Sequence, residues 1–489
     1  MSEHGGRTAA SGLSRPSTSP VDPVGDLAIV LHSHMPYVEG FGTYPFGEEW
    51  LFDAVLRSYL PVLEVARELT LTVTPVLADQ LEAPGVPERL REFLLSHRIN
   101  AAERDLDSVD PELRAAAEAE RRRYSRALEL LDRHDGRPLE AFRSAVGSGR
   151  VSLAASAATH ALLPLLATKA GSDLQIDTGI RSHRRRFGWH GGFWLPECAY
   201  VPGLEWDLAR HGVSWFCIDQ SRHSGGDEAL GPVATEAGPV AFGIDWESVS
   251  RLWDMDGYPS WPGYIDFHRL SLNGMHVFAI DGKPFDPEAA SAKASDQADQ
   301  FLSAAAERLA GYRERTGKGG TLVFAVDCEL LGHWWSDGPR WLEHVLDRAG
   351  GRGIRLVTLD RAAVPGGSRE AELKASTWGE QKDFRTWDAP AVDDLTWAAR
   401  RLELRVAEAV AGGLDHCRAE RAVRELMLVQ SSDWAFLDSR REAGDYAFDR
   451  ATQHAHSALE ALQSAPDVPL DSRIRSLAPD LSLTPMLIP

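Results

Sequence analysis

DLAIVLHSHMP, residues 26–36, begins its apolar course at Leu27, stays apolar through Leu31, and then delivers His32 and His34 ahead of Pro36. A strand with one wet face alternates apolar and polar residues. A run that is apolar on both faces belongs to a strand covered on both sides, as in a parallel sheet. His32 and His34 fall on one face of that strand, because strand side chains alternate with period two. Chemically capable residues therefore collect where the apolar run stops. In parallel barrels and open α/β sheets, those C-terminal strand ends are where active sites form.

The same pattern recurs along the chain in LTLTVTPVLADQL (69–81), VSLAASAATH (151–160), GGFWLPECAY (191–200), VSWFCIDQ (213–220), TLVFAVDCELLGHWW (321–335) and IRLVTLDRA (354–362). Helix-like stretches lie between them, at 48–67, 202–211, 288–314 and 339–349. Such alternation predicts an α/β fold. Two regions break it. Residues 85–146 are charged and helical in pattern, which predicts an insertion of about that span within the barrel. Residues 392–465 are helical again, and the Pro-, Ser- and Leu-rich tail after 466 is irregular. The expected division is a disordered tail over 1–24, a catalytic barrel over 25–365 and a C-terminal helical domain over 366–489 that contributes to the active site.

Of the 489 residues, 72 are acidic and 52 basic, for a formal net charge of −20. Such a surface repels phosphate backbones and anionic membranes, so nucleic acid and membrane are not expected partners. The Ser-, Gly- and Pro-rich N-terminus lacks the apolar core of a signal peptide. The longest uncharged run, residues 151–168, carries Ser, Thr, His and Pro and reads as a strand and loop rather than a span. Cys198, Cys217, Cys328 and Cys417 form no CxxC pair. Free thiols in a reducing, cytoplasmic setting are the expectation.

Two carboxylates stand at strand ends: Glu197 in GGFWLPECAY and Asp327 in TLVFAVDCELLGHWW. A lone carboxylate in a strand usually accepts a salt bridge or backbone hydrogen bonds. Two at neighbouring strand ends can share one substrate, as the nucleophile and general acid of a retaining glycosidase do at roughly 5–5.5 Å, or an inverting pair at roughly 6.5–9.5 Å. Trp194, Trp334, Trp335, Trp378, Trp387 and Trp434 flank polar residues. Trp offers a flat apolar face with a donor at its edge, which suits the C–H faces and hydroxyls of sugars. His32, His34, His160 and His333 also lie at strand ends. They suit either hydrogen bonding to sugar hydroxyls or, with a carboxylate, zinc ligation.

HSHMPYV (32–38), AATHALLPLL (157–166), WLPECAY (194–200), DCELLGHWW (327–335) and SSDW (431–434) resemble, in order, the five sequence regions of glycoside hydrolase family 57. The resemblance runs from about residue 26 to 455, and STWGEQKDF (376–384) with the helical C-terminal region looks most like the 1,4-α-glucan branching enzymes. It implies a (β/α)7 barrel and a retaining double displacement on an α-glucan such as amylose or glycogen. By the resemblance, Glu197 on the fourth strand is the nucleophile and Asp327 on the seventh the general acid/base. His32, His34, His160 and His333 line the site, Asp433 and Trp434 reach over it, and Trp253, Trp378 and Trp387 guide the glucan; Trp194 and Trp334, from the tryptophan pattern, are further substrate-binding candidates. No metal and no cofactor is implied.

The chain departs from the family pattern in specific places. Ser152 stands where Glu is usual, and Ile244 where Arg is expected. The loop that in branching enzymes carries a Tyr near its tip is here SRHSGGDEALGPVATEAG (221–238), with no Tyr between Tyr200 and Tyr258. That loop bears on transfer against hydrolysis, so an α-amylase-like hydrolase or a 4-α-glucanotransferase of the same family is the alternative. A zinc-dependent deacetylase or hydrolase using His32, His34 and Asp327, or a non-catalytic glucan-binding protein, is the alternative of another class. Oligomeric state is left open.

Overall fold

A computed structural model describes residues 23–39, 41–44, 46–223, 226–363, 371–441, 443–464 and 476–487. The tail expected to be disordered falls outside these residues except at its last two positions.

The apolar runs form strands as their patterning requires. They are β1 (Gly25–Ser33), β2 (Leu69–Val73), β3 (Val151–Ser156), β4 (Gly192–Trp194) and β5 (Trp215–Ile218), followed by β6 (Val233–Ala234), β7 (Val240–Gly243), β8 (Thr321–Asp327) and β9 (Ile354–Leu356). Parallel pairing runs β7-β5-β4-β3-β2-β1-β8, with β6 antiparallel on β7. The ends then meet: Ile244, just past β7, bridges Val323 of β8 in parallel, and the Asp245 N–H donates to Val323 O at 2.9 Å. Closure turns the parallel strands into a barrel of seven, in which β4 is the fourth and β8 the seventh. Leu27–Leu31 are fully buried. Burying such a Leu or Ile side chain is worth about 1.5–3 kcal/mol, which is why the run reads so plainly.

One strand differs from the sequence reading. The run 354–362 supplies only the three-residue β9, which pairs with Gly25–Leu27 at the start of β1 and is no stave of the barrel. The missing stave is β7, the four residues Val240–Gly243. It is too short to stand out as an apolar run, and its pairing rather than its composition makes it a strand.

Helices over Val86–Phe93, Asn100–Ser108, Arg114–Asp132 and Pro138–Gly147 fill the stretch between β2 and β3. The helix that follows β1 contains a π-helical stretch at Val55–Tyr59, which buries Arg57 and Tyr59. Four C-terminal helices, Asp393–Ala411, His416–Val429, Ser432–Arg440 and Tyr446–Gln463, form a bundle. Their apolar core is continuous with barrel residues Tyr37, Val76, Ala158 and Leu174. This shared core fixes the turn between the second and third of these helices against the barrel mouth. Ser431 bridges Ala161, and the Ser432 N–H donates to His160 O at 3.1 Å.

Candidate active site

Strand register sets the level of the site. His32 on β1 pairs with Asp327 on β8 and with Thr72 on β2, so all three stand at one height near the C-terminal ends. Glu197 follows β4 by three residues. Its backbone is left-handed, at φ 57°, as are those of Cys198 (φ 51°) and His160 (φ 59°). Non-glycine residues held this way cost about 1–3 kcal/mol each and persist where surrounding bonds over-determine them. Those bonds are present: Trp378 N–H donates to Glu197 O at 2.9 Å, and Cys198 N–H to Leu195 O at 2.8 Å.

The Glu197 carboxylate is held by two donors, Trp378 Nε1–H on Oε2 at 2.9 Å and Ser432 Oγ–H on Oε1 at 3.1 Å. Ser432 has one proton and gives it to Glu197, so its oxygen accepts from His160 Nδ1, 2.8 Å away. His160 Nε2 is then an acceptor for His32 Nε2–H at 3.0 Å. His32 Nδ1 in turn accepts from Thr72. This direction follows from the donor inventory and needs both rings neutral. Burial holds both well below the usual histidine range, aided by their neighbouring imidazoles. His34 behaves oppositely. Burial disfavours its charge, but Asp433, 2.8 Å from Nε2, with Glu329 and Glu197 beyond, raises it on balance.

The two carboxyls differ in surroundings. Burial pushes Glu197 up to about 6, against the lowering effect of the Trp378 and Ser432 hydrogen bonds. Asp327 accepts no hydrogen bond among the described residues. Burial, then the charges of Glu329 and Glu197, hold it well above the usual carboxylate range. The arrangement therefore offers one carboxylate oriented by two donors and a second carboxyl, without a hydrogen-bond partner among the described residues, whose protonated form burial favours. Environments that push two carboxyls apart in this way make them candidates for different roles in one reaction.

His34, His160 and Asp433 bring ligand atoms within 4.8 Å of one another. The rings of His34 and His160, however, lie stacked, with centroids 4.0 Å apart and planes 21° apart. Their in-plane lone pairs run side by side instead of converging, whereas a metal at roughly 2.0–2.1 Å from each nitrogen lies near both ring planes. The zinc set of His32, His34 and Asp327 fares no better, since both His32 nitrogens are taken by Thr72 and His160. These groups are arranged for hydrogen bonding.

The tryptophans divide. Trp194 is fully buried and stacks on His32, with centroids 4.9 Å apart, so it backs the site without lining it. Trp378 stands edge-on to Trp194 and reaches Glu197. Trp253 and Trp334 are 53% and 52% exposed and can offer a face, the latter packed at 4.6 Å on Phe267. Trp387, expected to guide the glucan, is buried among Leu162, Ala199, Val392 and Ala435. Trp434, expected to reach over the site, is also buried and donates its indole N–H to Leu428 O. Its neighbour Asp433 is the residue that turns to the site. His333 is packed on Phe267 and Trp334 and makes no hydrogen bond or ion pair with Glu197 or Asp327, both of them described residues, and burial lowers it to about 4.

Three groups were not singled out from the sequence: Ser432, Tyr59 and Glu329. Glu329 lies two residues past Asp327 and accepts from Tyr59 OH and, at 3.0 Å, from His34 N–H. Its place beside Asp327 in DCELLGHWW was the available signal.

The profile of glycosyl hydrolase family 57 matches residues 28–364. The chain belongs to glycosyl hydrolase family 57. A second profile, the 1,4-alpha-glucan branching enzyme C-terminal domain, matches residues 395–479 of this family-57 chain. A probable 1,4-alpha-glucan branching enzyme of Mycobacterium tuberculosis (strain H37Rv) is 34% identical, over 91% of this chain and 92% of its own. The 1,4-alpha-glucan branching enzyme of Thermococcus kodakarensis is 30% identical over 88% of this chain and 72% of its own. The crystal structure of a family-57-type branching enzyme from Pyrococcus horikoshii superposes with a TM-score of 0.90 at 29% identity, covering 95% of this chain and 97% of that one.

Two family departures lie away from the carboxylates. Ser152 is the second residue of β3 and bonds Thr70 Oγ1 at 3.1 Å, low in the barrel. Ile244 is buried at the closure with β8. In the Tyr-free loop, the described residues include a short 3-10 turn at Gly226–Leu230 and β6.

Proposed function

We propose that this chain is a retaining 1,4-α-glucan branching enzyme in which Glu197 is the nucleophile and Asp327 the general acid/base. The observation that carries the reading is the contrast between these carboxyls: Glu197 oriented by Trp378 and Ser432, Asp327 without a hydrogen-bond partner among the described residues and raised well above the usual carboxylate range by burial.

Glu197 attacks the anomeric carbon of an α-1,4-linked glucosyl unit. Asp327 gives its proton to the departing 4-oxygen, and a glycosyl ester forms on Glu197. Asp327, now a carboxylate, takes the proton from the 6-hydroxyl of an acceptor glucan as that oxygen attacks the ester, giving an α-1,6 branch and restoring both groups. Asp433 would accept from the bound sugar's hydroxyls, with His34 holding it and the His32–His160–Ser432 chain holding Glu197 in place, while Trp253, Trp334 and Trp378 would support the glucan chain. The reading places a catalytic barrel in residues 25–365, with a helical insertion over about 85–146, and a site-completing helical domain in 366–489. The acidic charge favours a neutral glucan over nucleic acid. No helix among the described residues is long and apolar enough to cross a membrane, and a cytoplasmic location fits that reading.

The Tyr-free loop favours a second reading, hydrolysis by the same two carboxyls with water as acceptor. Proton NMR of amylose incubated with the protein, with reducing ends assayed in parallel, separates the two. New α-1,6 anomeric signal with few new reducing ends is expected; rising reducing ends without that signal would replace the branching assignment by hydrolysis.

A further inference from the structure

Trp378 holds Glu197 twice, through its backbone and its indole N–H, yet it belongs to neither the barrel strands nor the C-terminal helices. It sits on a strap, residues 376–384, that crosses the barrel mouth. The strap is pinned at one end by a bridge between Ser376 and Tyr200. At its turn, Gln381 and Lys382 are both left-handed, at φ 61° and 59°. Such a turn at two non-glycine residues is unfavourable in isolation, so something must hold it.

The Lys382 side chain does so. Its ammonium folds back over the strap, donating to Trp378 O at 3.3 Å. It stands 2.9 Å from Asp219 Oδ2 and over the face of Trp246. Asp219 is fully buried and immediately follows β5, the stave beside β4. A carboxylate so placed needs a partner, and removing one member of a buried pair strands the other. The neighbouring residues reinforce the contact: Arg222 pairs with Asp383 at 2.9 Å and donates to Gln381 O at 3.1 Å, and Gln220 reaches Ser376 Oγ at 2.8 Å. The segment that leads into the Tyr-free loop is thus stitched to the strap that carries Trp378.

We propose that Lys382 is a positioning residue for the nucleophile: by tying the strap to Asp219 at the end of β5, it sets Trp378 on Glu197. The inference rests on the reading of Glu197 as nucleophile. That reading fails by itself if Glu197→Gln retains turnover, whatever the Lys382 variants do. Around Glu197 stand Trp378, Ser432, Asp433, His34, His160 and Asp327; around the Lys382 ammonium stand Asp219, Asp254, the Cys198 thiol and the Trp246 ring. Loss of the Trp378 hydrogen bond would leave Glu197 harder to ionise, so the acidic limb of its pH profile would move to higher pH.

The test is the full-length Lys382→Met variant beside Lys382→Arg and the double variant Asp219→Asn/Lys382→Met, assayed on amylose across pH. Lys382→Met is expected to lower kcat about tenfold or more, a larger effect than any rise in KM from the displaced Trp378 face, and to shift the acidic limb upward. Lys382→Arg should restore most of the rate. The double variant leaves no stranded carboxylate, so it remains testable even where the single variant folds poorly. It is expected to stay folded by circular dichroism and still show the low kcat and shifted limb. Wild-type kcat with an unshifted limb in the double variant would overturn the proposal, because Lys382 would then serve only to neutralise Asp219.

Discussion

Ser432 Oγ lies 3.1 Å from Glu197 Oε1 and 2.8 Å from His160 Nδ1, although 235 residues of chain separate Ser432 from Glu197. A single hydroxyl thus joins the C-terminal helices, the β3 exit and the β4 exit. Ser432→Ala removes a donor to the carboxylate and the acceptor for His160. The expected result is a fall in kcat of about tenfold, roughly the worth of one hydrogen bond to a charged group. The acidic limb of kcat/KM should also move to higher pH, because a hydrogen bond that lowered Glu197 is gone. Steady-state kinetics across pH checks both.

The pH profile of the unaltered protein follows from the two carboxyls. As the proposed nucleophile Glu197 must be ionised to attack, and it is pushed up to about 6, so activity is expected to fall as pH drops through about 6. Asp327 must be protonated to serve as acid and is held well above the ordinary carboxylate range, so activity falls again once the pH exceeds its raised value. A bell in kcat/KM, with its acidic limb near 6 instead of near 4.5, is the expected shape.

In the proposed mechanism, Asp327→Asn removes the acid but leaves the nucleophile. On amylose the loss should be large, about a hundredfold or more. On an α-maltosyl fluoride, whose leaving group needs no proton, the first step should be largely spared. Comparable losses on both substrates would remove Asp327 from the acid role.

The tryptophans should separate by property. Trp434 is 1% exposed and anchored to Leu428 O, so Trp434→Ala should cost about 3–5 kcal/mol of stability by chemical denaturation. Trp334→Ala, at 52% exposure, should change stability by no more than about 0.5 kcal/mol and raise KM for long glucans.

The strands of this fold are readable because LAIVL and LVFAV are apolar on both faces, and only a covered parallel strand accommodates that. Glu197 and Asp327 are readable for the converse reason, as carboxylates interrupting such runs. The four-residue β7 is not readable, because short strands are made by pairing and not by composition. Ser432, Tyr59 and Lys382 acquire their contacts from distant segments that no local pattern encodes. Trp434 and Trp387 show the complementary limit. A motif places a residue along the chain but does not say which way it faces, and here Asp433 turns to the site while Trp434 turns to the bundle. The Trp378 hydrogen bond to Glu197 joins a motif to a strap, and each is readable alone while their meeting is not.

The central claim is a covalent intermediate on Glu197. It is tested most directly by incubating Asp327→Asn with an α-maltosyl fluoride, so that the ester forms but its breakdown lacks a base, and then digesting and mapping the protein by mass spectrometry. A maltosyl adduct on the peptide bearing Glu197, absent in the double variant Glu197→Gln/Asp327→Asn, is the expected result. Consumption of the fluoride with no adduct, or an adduct on another carboxylate, would contradict the double displacement through Glu197.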